Sequence, residues 1–153
     1  MTVAAPLGIL LCAKNVLSDI MLGLLGNSTK RSAMSKQKME QTQTANRLMD
    51  ELNGRHRAEQ EGILGGKSVA TGKIDSQTMS LLQLLQDSHA NEKAQLERQI
   101  QEIQDQTAQE ETELENEQTM LETQKQAQEA IIEPLEKMVQ NNIKKEYSFR
   151  CFA

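Results

Sequence analysis

Between Ser76 and Glu133 the chain reads as one long helix whose apolar stripe is too thin for it to stand alone. Leu82, Leu96 and Ile103 recur at intervals of seven, with His89 in the same register. Ile100, Leu114 and Leu121 form a second set three or four residues away, with Thr107 filling its gap. Together the sets approximate the a and d positions of a coiled-coil seam. It is a poor seam in the middle, because between Gln104 and Thr119 only Ala108 and Leu114 are apolar. Such a helix takes its stability from packing rather than propensity. At 1.5 Å per residue it extends roughly 87 Å, so whatever covers it must also be long.

The partner is in the same chain. Leu7 to Leu25 is apolar on nearly every face, and Pro6 suits a helix start. A helix is expected from about Leu7 to Leu52, with Gly23, Gly26 and Asn27 as places for a break or kink. Its second half keeps a narrower stripe through Met34, Ala45, Leu48, Met49 and Leu52, and Gly54 then suits a C-cap. The five glycines between Gly54 and Lys73 mark a loop, and Asp75 or Ser76 supplies the next N-cap. Pro134 is expected to end or kink the long helix, leaving Leu135, Met138, Val139 and Ile143 for a last amphipathic turn or two.

The expected fold is all-α, an elongated antiparallel helical hairpin with a long C-terminal coiled-coil helix. Its parts are an apolar N-terminal helix over 1–53, a Gly-rich loop over 54–75, an acidic coiled-coil helix over 76–133 and an amphipathic tail over 134–153. Aromatic residues make up 2% of the 153, too few for a conventional compact core.

If Leu52 meets Gln77 beside the loop, Leu48 faces Leu81 and Leu82, Met34 faces Leu96, Leu17 falls near Leu114, and Leu10 near Met120. The block from Val16 to Leu25 then meets the polar stretch Thr107 to Thr112. Large apolar side chains are left over there, each worth about 1.5–3 kcal/mol if fully buried. The surplus points to assembly. The residues expected to carry it are Val16, Leu17, Ile20, Met21, Leu24 and Leu25, packed on Leu82, Leu85, Leu96, Ile100, Ile103, Leu114 and Leu121 of the same and adjacent subunits.

Charge is segregated along the chain. Residues 76–133 hold thirteen acidic and three basic side chains, whereas residues 1–54 hold six basic and four acidic ones. A basic first helix lying along an acidic second one fits that distribution, although a solvated acidic face accounts for much of it. No basic patch is interleaved with aromatics, so nucleic acid is not an expected partner.

Lys14, Asn15 and Asp19 interrupt the N-terminal apolar stretch. They argue against a cleaved signal peptide or a simple membrane span; a segment lying in a membrane interface is the weaker alternative.

Chemical motifs are weak. Gly62-Ile63-Leu64-Gly65-Gly66-Lys67-Ser68 resembles a phosphate-binding loop, but Glu61 stands where the first glycine belongs and no strand precedes it. His56 and His89 read as lone histidines far apart, without cysteines or carboxylates at ligand spacing. Cys12 reads as a packed thiol and Cys151 as a tail thiol. Neither histidine has a Ser, Cys or Asp constellation around it, and the acidic doublets from Glu110 to Glu117 have no evident pocket. No enzyme, cofactor or metal is expected.

The order of features resembles the translocation-filament subunits of bacterial type III secretion systems, the EspA and SseB kind. The matching stretches are Ile9 to Leu25, Lys36-Gln37-Lys38-Met39-Glu40-Gln41, and Gly72-Lys73-Ile74-Asp75 leading into Leu81, Leu82 and Leu85. The resemblance implies a secreted subunit that polymerises helically into a hollow extracellular sheath. It also implies an outward-facing loop at Arg55 to Thr71. Expected partners are therefore further copies of the chain and a secretion chaperone. A closed coiled-coil oligomer in the cytoplasm and a membrane-active helical protein are the alternatives.

Overall fold

The computed structural model describes residues 3–65 and 76–152. They form two α-helices, α1 from Ala4–Leu64 and α2 from Ser76–Phe152, packed against each other as a hairpin. No strand occurs among the described residues. The expected all-α helical hairpin is the fold observed.

Both helices are longer than their sequence signals suggest. α1 passes through Gly54 and ends at Leu64, so the segment over 54–64 is helix and not loop. Nothing lies within 4 Å of where a Cβ on Gly54 would stand, so that glycine serves no close approach. A lone helical glycine costs about 1 kcal/mol against alanine, a penalty the flanking contacts outweigh. Leu52 on one side is buried, and His56, Ile63 and Leu64 on the other are half-buried. Gly62, Ile63 and Leu64 belong to the last turn of α1, and the Gly65 N–H donates to the Glu61 carbonyl at 2.8 Å. The first half of the phosphate-loop look-alike is therefore helix. Its second half, and the rest of the expected outward loop to Thr71, lie outside the described residues.

Neither Gly23, Gly26 nor Asn27 interrupts α1, and Pro134 does not end α2. A proline inside a helix forfeits one hydrogen bond and costs about 3 kcal/mol. Here Ile132 and Val139 are buried on either side of it, so the helix is held by packing across the defect. The tail expected from residue 134 onward is the continuation of α2.

The extra three turns or so of α1 move the pairing of the helices. Gly23 lies over Leu121, where an added Cβ would meet a Leu121 methyl at 3.3 Å. Asn27 sits beside Leu114 and Glu117, and the Gln128 side chain donates to the Ala13 carbonyl at 3.0 Å. Leu10 packs with Ile132 and Val139 rather than near Met120, and Leu48 shares a trough with Leu96 and Ile100 rather than facing Leu81 and Leu82. The expected meeting of Val16–Leu25 with Thr107–Thr112 is overturned.

The chain divides into two compact units, Met1–Ala33 with Glu110–Ala153, and Met34–Gln109. In the first unit Leu10, Ala13, Ile132 and Val139 form a core, joined by Val3, Leu17 and Leu135. Asn27 is its most enclosed polar side chain, 2% exposed. In the second unit Leu52 and Thr107 are buried, and the Thr107 hydroxyl lies 2.8 Å from the Ile103 carbonyl and 3.0 Å from the Gln41 side-chain oxygen.

Candidate functional site

The inward positions of α1 in the first unit follow a heptad alternation of threes and fours: Leu10, Ala13, Leu17, Ile20, Leu24, Asn27. Those of α2 run Leu114, Leu121, Lys125, Gln128, Ile132, Leu135, Val139, each buried or half-buried. This seam consumes part of the expected assembly set. Leu17, Ile20, Leu24, Leu114 and Leu121 in the first unit, and Leu82, Leu85, Leu96 and Ile100 in the second, are half-buried. Val16, Met21, Leu25 and Ile103 are exposed.

What remains in water is organised. On α1, Leu11, Lys14, Ser18, Met21 and Leu25 each follow a seam residue by one position, and Leu7 extends the row by one turn. On α2, Met120, Ala127, Ile131, Pro134 and Met138 each precede one. At 100° per residue, these rows stand roughly at right angles to the seam. In antiparallel helices, one step after the seam on α1 and one step before it on α2 point to opposite sides of the hairpin.

The unit therefore carries two unlike faces. One presents Leu7, Leu11, Met21 and Leu25 beside Glu122, Glu129, Glu133 and Glu136 of α2. The other presents Ile9, Cys12, Val16 and Asp19 beside Met120, Ile131 and Met138. The ion pair of Lys14 with Glu136 at 2.7 Å, both one step after the seam, bears out this geometry.

Sequence reasoning missed Leu7, Ile9, Leu11, Met120, Ile131 and Met138 as surface residues. The available signal was the second heptad row at 7, 11, 14, 18, 21 and 25, offset by one from the seam. An 18-residue window near the N-terminal end of α1 is also long and apolar enough to cross a membrane by length and composition.

The basic first helix and acidic second helix do meet. Besides Lys14, Arg31 approaches Glu115 at 3.7 Å, and Arg55 approaches Glu92 at 3.4 Å in the second unit. All these side chains are substantially exposed, so each pair is worth about 0–1 kcal/mol and sets register more than stability.

The two histidines are not far apart. The rings of His56 and His89 stack across the helices of the second unit, centroids 3.9 Å apart and planes within 18°. Both Nδ1 atoms are buried without a hydrogen-bond partner. Nitrogen lone pairs lie in the ring plane, so parallel rings do not aim at a common point. Accordingly, no group of three or more His, Cys, Asp or Glu converges at metal spacing among the described residues.

Burial first, then His56 and Lys93, lowers the pKa of His89, while Glu92 and Glu59 oppose the shift. A histidine whose folded pKa is depressed leaves the unfolded chain the better proton acceptor. Its contribution to stability is complete above the ordinary value of 6.5 and is lost as pH falls below it. The thermal midpoint at pH 5 is expected below that at pH 7, and His89→Gln should narrow the gap. Equal midpoints across that window in the unsubstituted chain would count against a lowered His89 pKa.

A trough of about 610 Å³ in the second unit is lined by Leu48, Leu96, Ile100 and Ile103 together with Gln41 and Thr107. It forms where small and polar residues of α1, such as Ala45 and Gln41, stand opposite the leucine and isoleucines of α2. Lys38, Glu40 and Asp105 also line it. Cys12 and Cys151 are both free and exposed, so Cys12 is not the packed thiol its apolar neighbours suggest. Comparison with protein-family models, with curated proteins and with solved structures finds no match.

Proposed function

We propose that this chain is a structural subunit that self-assembles through helix packing into a helical filament. The observation that carries the proposal is the apolar surface left on the first unit after the hairpin has closed. Leu11 is 56% exposed and Leu25 65%, in rows at helix-packing intervals rather than scattered singly. Leu7, Leu11, Met21 and Leu25 on one face, and Ile9, Val16, Met120, Ile131 and Met138 on the other, are each 39% to 65% exposed. Apolar side chains gathered in rows mark an interaction surface, whereas singly scattered ones need no explanation.

The heptad spacing of the rows, and the Lys14, Ser18 and glutamate positions among and beside them, suit other helices better than lipid. The layout shared with translocation-filament subunits supports a secretion-type, extracellular filament as the setting, with copies of the chain as principal partners.

Leu17 and Ile20 pack inside their own hairpin, so a charge placed at either would disturb the fold before it reported on assembly. The full chain should be followed by sedimentation across a dilution series and by negative-stain electron microscopy. Fibres that shorten on dilution are the expected result. A discrete dimer or trimer at every concentration selects a closed coiled-coil oligomer. Monomers that float with liposomes select membrane binding. Either of the last two outcomes overturns the filament.

A further inference from the structure

The stacked histidines of the second unit are packed for their neutral form. His56 of α1 and His89 of α2 bring their ring centroids within 3.9 Å, and buried Leu52 and half-buried Leu85 line the same small cleft. Each ring leaves its Nδ1 enclosed without a hydrogen-bond partner. A proton gained by an imidazole makes both of its nitrogens donors. The enclosed Nδ1 then carries an N–H with no acceptor, a cost that the neutral ring protonated at Nε2 avoids. Two protonated rings would also hold like charges face to face.

The surroundings supply no spare counter-charge. From α1, Arg55 and Glu59 face the pair; from α2, Glu92 and Lys93 do, with the uncharged Ser88. The two cations and two carboxylates balance, and Arg55 already approaches Glu92 at 3.4 Å. Lys93 reaches towards Glu97 at 4.0 Å. A first proton on the rings therefore leaves the cluster one positive charge in excess, and a second leaves it two.

Separation of the helices at this point relieves both costs, because each ring then meets water and titrates near the ordinary value of 6.5. We infer that the His56–His89 stack is an acid-operated latch: proton uptake parts α1 from α2 at this point of the second unit, and proton loss recloses it. The downward shift at His89 has the same origin, with burial first, then His56 and Lys93, outweighing Glu92 and Glu59. The closed state is therefore fully favoured above the ordinary value and loses ground as pH falls below it. The latch goes beyond the self-assembly reading and stands whether or not copies associate.

Hydrogen exchange of the full chain at pH 7 and pH 5, corrected for the intrinsic pH dependence of exchange, reads such an opening amide by amide. Both histidines of the chain lie in the second unit, so the first unit is the internal reference. Protection over 50–60 and 84–94 should fall by up to about 25-fold between these pH values for one proton whose uptake waits on opening. Protection over 7–27 and 114–139 should change far less. His56→Phe with His89→Phe keeps two rings without the titration, and His56→Gln with His89→Gln keeps neither ring. At least one of these pairs, checked for helix content by circular dichroism, should hold its protection from pH 7 to pH 5. His89→Lys sets a permanent charge in the cleft and should show the open pattern already at pH 7.

Unchanged protection over 50–60 and 84–94 in the unsubstituted chain overturns the latch. So does a loss shared equally by the first unit, or one that persists in both non-titrating pairs. A rise in protection at pH 5 overturns it as well, since Glu59 or Glu92 would then be capturing the proton.

Discussion

Asn27→Asp is expected to destabilise the first unit by about 3–5 kcal/mol at neutral pH, the usual cost of leaving a buried charge unpaired. The Asn27 amide nitrogen donates to the Leu114 carbonyl at 3.0 Å and to a Glu117 carboxylate oxygen at 2.9 Å, while its own oxygen has no partner. Aspartate keeps the shape, removes both donors and sets a second carboxylate against Glu117. Like charge and burial both raise a carboxylate pKa, so the loss grows with rising pH and is relieved below the ordinary range near ~4. Urea titrations followed by circular dichroism at pH 7 and pH 4 measure this directly. An unchanged midpoint at pH 7 would place residue 27 outside the interior. Asn27→Ala, which loses the bonds without adding charge, should cost less, about 1–3 kcal/mol.

Leu10→Ala and Leu11→Ala, adjacent in sequence, should have opposite consequences. Leu10 is 7% exposed and packs with Ala13, Ile132 and Val139. Truncating it removes transfer energy and opens a cavity, about 2–5 kcal/mol in a site that relaxes only partly. Leu11 faces solvent in the free subunit, so its truncation should move the unfolding midpoint by less than about 0.5 kcal/mol equivalent. Its cost falls on association instead, seen as a rise in the concentration at which polymers appear. If Leu11→Ala lowers stability as much as Leu10→Ala, the division into seam and surface is wrong.

How much of this was legible beforehand depended on which force controlled each feature. The hairpin was readable because Leu82, Leu96, Leu114 and Leu121 recur at a spacing only a helix uses. The ends of the helices were not. Gly54 and Pro134 carry strong local signals, yet both lie within helices, beside Leu52, Ile132 and Val139, whose tertiary contacts outweigh the local cost.

One misplaced end then shifted the whole register. The misfit was assigned to Thr107–Thr112, although Gly23 meets Leu121 and Asn27 meets Leu114. It also hid the pairing of His56 with His89, which are 33 positions apart and adjacent only in the longer hairpin. The surface residues were partly legible. Val16, Met21 and Leu25 were singled out and are exposed, whereas Leu17, Ile20 and Leu24 were grouped with them because periodicity alone does not say which of two neighbouring stripes the intrachain partner takes.

The core that joins Leu10 and Ala13 to Ile132 and Val139 also sets an order of events during synthesis. The greasiest part of the chain is made well before the residues that cover it. More than a hundred residues separate Leu10 from Ile132, so at about 5–20 residues per second the nascent first helix waits on the order of 5–25 s for its cover. Contacts between such distant positions also close late, after the pairings nearer the loop have shortened the span. For those seconds the residues that close the hairpin and the exposed apolar row beside them are both uncovered. A holding partner that binds the first helix early and releases it to α2 would protect the chain through the interval when it is most prone to the wrong association.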